Sequence, residues 1–257
     1  MMRPGLCSVT FRQLTPEQLV PLAAEAGLQV IEWGGDVHVP AGDVERAAQV
    51  ADLTSDAGLL TCSYGAYFRA DPDEALTPVL DSAAALGADR VRIWAGRVDS
   101  ADASAQQYAQ TVARLRDAAA EAGERGITLA LEYHRGTLAD TPQATLRLLA
   151  DVGSPALTTY WQPSVGAPDA VALAEYDAVA AHTSAVHVFS WWPAAERLRL
   201  HERAELWRAL FTAASAQASP PRDALLEFVP DDDPALLASE AATLRALLAG
   251  EAGEPAP

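Results

Sequence analysis

Only two cysteines, Cys7 and Cys62, occur in 257 residues. They exclude a disulfide scaffold and read as small buried side chains in a reducing compartment. Cations are scarce: 18 Lys+Arg face 35 Asp+Glu, a formal charge of −17. No basic run gathers them, so a nucleic-acid backbone or an anionic membrane surface is disfavoured as a partner. No stretch approaches the ~20 consecutive apolar residues that span a bilayer. The opening Met1-Met2-Arg3-Pro4-Gly5-Leu6-Cys7 lacks the apolar core of a secretory signal. The expectation is a cytoplasmic protein with no nucleic-acid or membrane partner. A glycine-rich turn is missing as well. Cys7-Ser8-Val9-Thr10-Phe11 stands where a dinucleotide-binding fold places its glycines after the first strand.

What is present is a repeating unit. An Ala/Leu/Glu-rich amphipathic run ends in a glycine, and a short apolar run follows it. Gly27, Gly58, Gly87 and Gly126 close four such helices, in the left-handed position that a Cβ disfavours. Thr15-Pro16, Thr141-Pro142 and Asp233-Pro234 mark helix starts, each a capping side chain before a proline at the first helical position. Thr15 and Gln18 have the spacing of a capping box. The apolar runs are too short for independent helices and read as buried strands. They fall near 5–9, 29–33, 59–64, 89–94, 127–133, 157–162, 184–189 and 224–228. Eight units of about 32 residues predict a single (β/α)8 TIM barrel over residues 1–249. The Ala/Gly/Pro/Glu-rich stretch 250–257 reads as a flexible C-terminal tail.

Such barrels build their sites at the C-terminal ends of the strands. Glu132 lies between Leu131 and Tyr133, and Glu227 between Leu226 and Phe228. A carboxylate in a strand covered on both faces must be paired, metal-bound or neutralised. Period-two alternation puts Thr128, Ala130 and Glu132 on one face and Leu129 and Leu131 on the other. By the same parity Glu132, Gln162, His187 and Glu227 converge from four successive strands. Two carboxylates, an imidazole and an amide oxygen make a cage for a divalent metal such as Mn, Mg, Co or Zn. Glu32 and Arg92 share the lumen parity and read as an ion pair beneath the site.

The residues Glu32-Trp33-Gly34-Gly35, Leu131-Glu132-Tyr133-His134 and Leu226-Glu227-Phe228 resemble the sugar isomerase/epimerase superfamily with the xylose isomerase-like barrel. The resemblance covers nearly the whole chain. It implies a metal held by Glu, Asp, His and Glu on strands five to eight, with the two glutamates removing and returning a proton. Here Glu132 and Glu227 take the catalytic roles, and Glu132, Gln162, His187 and Glu227 the metal-binding ones. Two positions depart from the pattern. Gln162 stands where Asp is usual, so metal affinity should be lower. Val165 stands where the epimerases carry a substrate-binding histidine.

Further residues are read as substrate contacts. His134 follows Glu132 by two positions. His38 lies in the loop after the second strand. Arg197 follows the strand that carries His187, as an arginine does in the epimerases, and Trp94 ends the fourth strand. Aromatic residues at the strand ends, with no glycine-rich phosphate cradle and a strongly negative chain, favour a neutral sugar or polyol. The expected activity is isomerisation or epimerisation of a small sugar or keto-polyol through an enediolate. The alternatives are a dehydratase-type lyase on the same barrel and a non-catalytic sugar-binding barrel with a weakened metal site. A homo-oligomer is compatible with the sequence, which marks no interface. Asp231-Asp232-Asp233 reads as a helix start, with Asp233 as the cap.

Overall fold

The structure is a computed structural model that describes residues 2–219 and 221–251. Eight parallel strands close a barrel. They are β1 (Arg3–Cys7), β2 (Val30–Gly34), β3 (Leu60–Gly65), β4 (Arg90–Ile93), β5 (Thr128–Glu132), β6 (Leu157–Trp161), β7 (Thr183–Val188) and β10 (Asp223–Leu226). Between β7 and β10 the chain adds a small antiparallel hairpin, β8 (Ser190–Trp191) and β9 (Arg197–Leu198). Pairing runs β1-β10-β7-β6-β5-β4-β3-β2, and β1 closes on β2. The helices α1 (Pro16–Glu25), α2 (Val44–Asp56), α3 (Thr77–Ala85), α4 (Ala105–Glu124), α5 (Pro142–Val152), α6 (Asp169–Val179), α7 (Ala204–Ser215) and α8 (Leu237–Leu248) form the outer layer. The expected tail lies outside the described residues from 252 onward.

The local signals act as their chemistry requires. The Gln18 side chain accepts from the Thr15 backbone N–H at 2.9 Å, and Thr141 Oγ1 accepts from Ala144 N–H at 3.2 Å. Asp233 Oδ1 accepts from Ala235 N–H at 2.9 Å, so the acidic triplet opens the short turn before α8. Gly27 and Gly126 both sit at φ +71°, where a side chain would be strained. Cys7 and Cys62 are buried free thiols. Among the described residues no helix is long and apolar enough to cross a membrane.

Two apolar regions result. The larger fills the space between strands and helices, with Trp33, Trp161 and Trp207 fully buried in it. The smaller is a plug inside the lumen formed by Val30, Cys62, Ala130, Tyr160, Ala185 and Leu225. Period two then places polar residues above and below the plug. At the strand N-termini, Asp223 accepts from Arg3 Nε at 2.7 Å and from Arg90 Nη2 at 2.5 Å. At the C-terminal ends lie Cys7, Glu32, Arg92, Glu132, Gln162, His187 and Glu227, all buried.

Candidate functional site

Of the buried residues at the C-terminal ends, Arg92, Glu132, Gln162 and Glu227 line a cavity of about 340 Å³, and Cys7, Glu32 and His187 lie behind them. Glu132 is the last residue of β5 and Gln162 follows β6. His187 lies near the end of β7 and Glu227 just beyond β10. Right after Glu227 the backbone turns sharply: Phe228 holds φ +57°, and its N–H donates to Thr10 Oγ1 at 3.3 Å. A bulky residue in the left-handed region is strained, and such strain collects at functional sites.

His187 is fully buried behind the floor and links its residues. Its Nε2 lies 3.2 Å from Glu32 Oε1, and Ser63 Oγ donates to Glu32 Oε2 at 2.7 Å. Its Nδ1 lies 3.1 Å from Gln162 Oε1 and 3.3 Å from Glu227 Oε2. With Nε2–H given to Glu32, the Nδ1 of a neutral ring is an acceptor facing two more acceptors. That arrangement calls for a cation, either a proton on Nδ1 or a metal ion. Burial pulls the imidazole pKa down, but Glu227 and Glu32 outweigh it and lift it to about 10. Burial pushes the Glu32 carboxyl up, yet His187, Arg92 and the Ser63 hydroxyl hold it well below the usual carboxylate range.

Arg92 crosses the lumen from β4. Its Nη1 is 2.9 Å from Glu132 Oε2 and its Nε 3.5 Å from Glu32 Oε1. The expected Glu32–Arg92 pair therefore exists, and its guanidinium also reaches Glu132, which sequence reasoning missed. The signal that could have found it is Gly65. A Cβ there would fall 2.6 Å from Arg92 Nη2 and 3.1 Å from Glu32 Oε1. Cys7 was missed as well. Its thiol donates to Glu32 Oε1 at 3.4 Å and lies 3.9 Å from Glu227 Oε1. Burial, then Glu32 and Glu227, push that thiol well above its ordinary range. The ligand-type atoms of Cys7, Glu32 and His187 lie within 4.8 Å of one another.

Two oxygens, Glu132 Oε2 and Glu227 Oε2, are buried without a hydrogen bond of good geometry. Together with His187 Nδ1 and Gln162 Oε1 they supply nitrogen and oxygen donors of the kind a divalent ion takes.

Aromatic side chains make the walls. On one side the His134 ring lies 4.6 Å from Trp94, and Tyr67 stacks on Trp94 at 6.2 Å. On the other, Phe228 lies 5.1 Å from Trp191 and 5.9 Å from Phe189. The remaining sequence candidates lie elsewhere. His38 is buried with its ring nitrogens 2.9 Å from Ser8 Oγ and 3.1 Å from the Leu14 carbonyl. It braces the loop after β2 and does not line the cavity. Arg197 pairs with Asp232 and sits behind the aromatic wall, its Cζ 4.9 Å from the Phe228 ring centre.

Comparison with known proteins agrees with this architecture. A 3-dehydroshikimate dehydratase from Bacillus anthracis is 26% identical over 167 residues, 61% of this chain. The chain spans about 60% of that relative's length. A D-psicose 3-epimerase structure from Clostridium cellulolyticum superposes with TM-score 0.71 at 14% identity, covering 96% of this chain and 99% of its own. A magnesium complex of a xylose isomerase-like barrel protein from Mycobacterium smegmatis superposes with TM-score 0.68 at 16% identity, covering 97% and 98%. At such identities the structures show the common barrel. The family model for the xylose isomerase-like TIM barrel matches residues 20–210, nearly three quarters of the sequence. The chain belongs to the xylose isomerase-like TIM barrel family.

Proposed function

We propose that this protein is a divalent-metal-dependent isomerase or epimerase of a small polyhydroxy carbonyl compound. The observation that carries the reading is the convergence of Glu132, Gln162 and Glu227, which line the cavity, with His187 buried behind them, its Nδ1 3.1 Å from Gln162 Oε1 and 3.3 Å from Glu227 Oε2. Those four side chains would hold the ion, and a protein of the same barrel fold is a magnesium complex. When bound, the ion supplies Lewis-acid polarisation of the substrate carbonyl.

The protein's own groups do the rest. Glu132 and Glu227 come from β5 and from the end of β10, so they address a substrate from different sides. One takes the proton from the carbon beside the carbonyl, leaving an enediolate; the other returns it. Return to the opposite face inverts the centre, and return to the neighbouring carbon moves the carbonyl. Arg92 fixes Glu132 and keeps a positive charge beside the developing negative one. Glu32 orients the His187 ring. Trp94 and His134 cover one side of the carbon skeleton, and His134 has a ring nitrogen for a substrate hydroxyl. The aromatic walls keep water from the reacting carbon.

A dehydratase is the second reading, favoured by the Bacillus anthracis relative. It begins with the same proton removal and ends with loss of a hydroxyl as water. Incubation with ketoses in D2O and Mn2+, read by mass spectrometry and NMR, tests both. Deuterium on carbon in an isomeric product is the expected result, and loss of one water assigns the lyase. Glu227→Gln should abolish exchange with the fold intact. Undiminished exchange in that variant would refute the assignment.

A further inference from the structure

The charge of the cavity does not follow that of the chain. The sequence has 35 acids against 18 cations, yet the cavity is lined by Arg12, Arg92 and Arg135 against Glu132, Asp140 and Glu227. The local field matters more to a ligand than the net charge. Two of these arginines are engaged. Arg12 pairs with Asp36 at 3.0 Å and donates to the Tyr67 hydroxyl at 3.0 Å, and Arg92 holds Glu132 and Glu32. Arg135 is exposed at the cavity. Among the described residues its guanidinium has no ion pair and no hydrogen bond. It sits three residues beyond Glu132, on the loop that leaves β5 and carries His134 against Trp94.

We propose that the substrate of this site carries an anionic group, a carboxylate or a phosphate, and that Arg135 is the residue that recognises it. The proposal rests on the enolising reading above and adds the class of molecule. A cavity of about 340 Å³ is near the lower end for ligand sites, so a molecule of monosaccharide size spans it from floor to rim. Its carbonyl and hydroxyls meet the glutamates at the floor, its carbon skeleton lies between the aromatic walls, and its anionic end reaches the rim. A guanidinium presents paired N–H donors that match two oxygens of a carboxylate or phosphate. Arg12 and Arg92 already hold Asp36, Glu32 and Glu132, so Arg135 is the lining cation left to meet an anion despite the acidic exterior.

Quenching of tryptophan emission reads ligand entry, because Trp94 and Trp191 line the cavity. The Mn2+-loaded full chain is titrated with shikimate, D-ribulose 5-phosphate and neutral D-fructose. At least one anionic probe should bind tenfold or more tightly than D-fructose, and which one it is distinguishes carboxylate from phosphate. Arg135→Gln should remove that preference and leave D-fructose binding as it was, and Arg135→Lys should keep part of it. Arg147→Gln, the same charge change on the outer surface of α5, should leave the preference intact. The proposal is overturned if neither anionic probe binds more tightly than D-fructose, or if Arg135→Gln keeps the preference. The reading of the reaction fails separately. Absence of deuterium exchange in any ketose refutes that reading, whatever Arg135 does to binding.

Discussion

Replacing Asp223 by alanine should destabilise the barrel without altering its chemistry. Asp223 is fully buried at the end of the lumen opposite the cavity and bridges Arg3 and Arg90. The two partners differ: the Arg90 side chain is 1% exposed, that of Arg3 34%. Alanine would leave the Arg90 guanidinium buried with the Ser184 carbonyl at 3.0 Å and the Tyr160 ring at 4.9 Å. An ion left without its partner in such a place costs roughly 3–5 kcal/mol. For a chain of this size that lowers Tm by roughly 6–20 °C. Arg3→Ala keeps the buried pair and should cost less than about 1 kcal/mol. Thermal unfolding followed by circular dichroism gives both values, and deuterium exchange into substrate well below Tm shows whether the site is intact. An unchanged Tm for Asp223→Ala, or an equal loss for Arg3→Ala, would refute the reasoning. Lost exchange in fully folded Asp223→Ala would refute the separation of the two ends.

Three further outcomes follow from the barrel lumen. Gly65→Ala places a Cβ 2.6 Å from Arg92 Nη2; it should displace the guanidinium from Glu132, cost roughly 1–3 kcal/mol of stability, and lower exchange activity at least tenfold in steady-state assays. Gln162→Asp adds a charge to the donor set and should tighten Mn2+ binding about tenfold or more by calorimetry; weaker binding would remove Gln162 from the proposed cage. Both thiols are buried, and burial with the nearby Asp223 pushes Cys62 up to about 12. Neither cysteine should react with a disulfide reagent in the folded protein, and both should react on denaturation.

Much of the architecture was legible because single residues carry it. Gly27 and Gly126 occupy the left-handed positions that end α1 and α4, and Thr15 and Thr141 cap the starts of α1 and α5. These fix where strands begin and end, and period two then brings Glu132, Gln162, His187 and Glu227 to one end of the lumen. What was not legible depends on distances between elements. The hairpin of β8 and β9 is two residues a side around Trp192-Pro193, too short to leave an alternating pattern. The register shift between Ile31 and Glu32 brings Ser63 opposite Glu32, a contact that no reading of one strand supplies. His38 lies in a loop on the cavity side of the barrel, yet the short helical turn Ser8–Phe11 puts Ser8 Oγ 2.9 Å from its ring. Arg92 reaches Glu132 only because the residue beside it on β3 is glycine.

The two polar layers of the lumen differ in a way that assigns their roles. Below the apolar plug, one carboxylate faces two guanidiniums, and both Asp223 oxygens are bonded. Both carboxylate oxygens of that layer are taken by guanidiniums, so its charges hold the strands in register. Above the plug, three carboxylates, Glu32, Glu132 and Glu227, share one guanidinium and one imidazole. Buried acceptors in excess of donors are costly in a low-dielectric interior. The divalent cation and hydroxy-carbonyl ligand proposed above would supply the missing positive charge and the missing donors together. The same comparison explains why Glu132 and Glu227 differ from Asp223 although all three are buried carboxylates on lumen-facing positions. Asp223 has both oxygens bonded to arginine away from the cavity, whereas Glu132 and Glu227 line it, with Glu132 Oε2 2.9 Å from Arg92 Nη1 and Glu227 Oε2 3.3 Å from His187 Nδ1, so these two carboxylates can meet a substrate and Asp223 cannot.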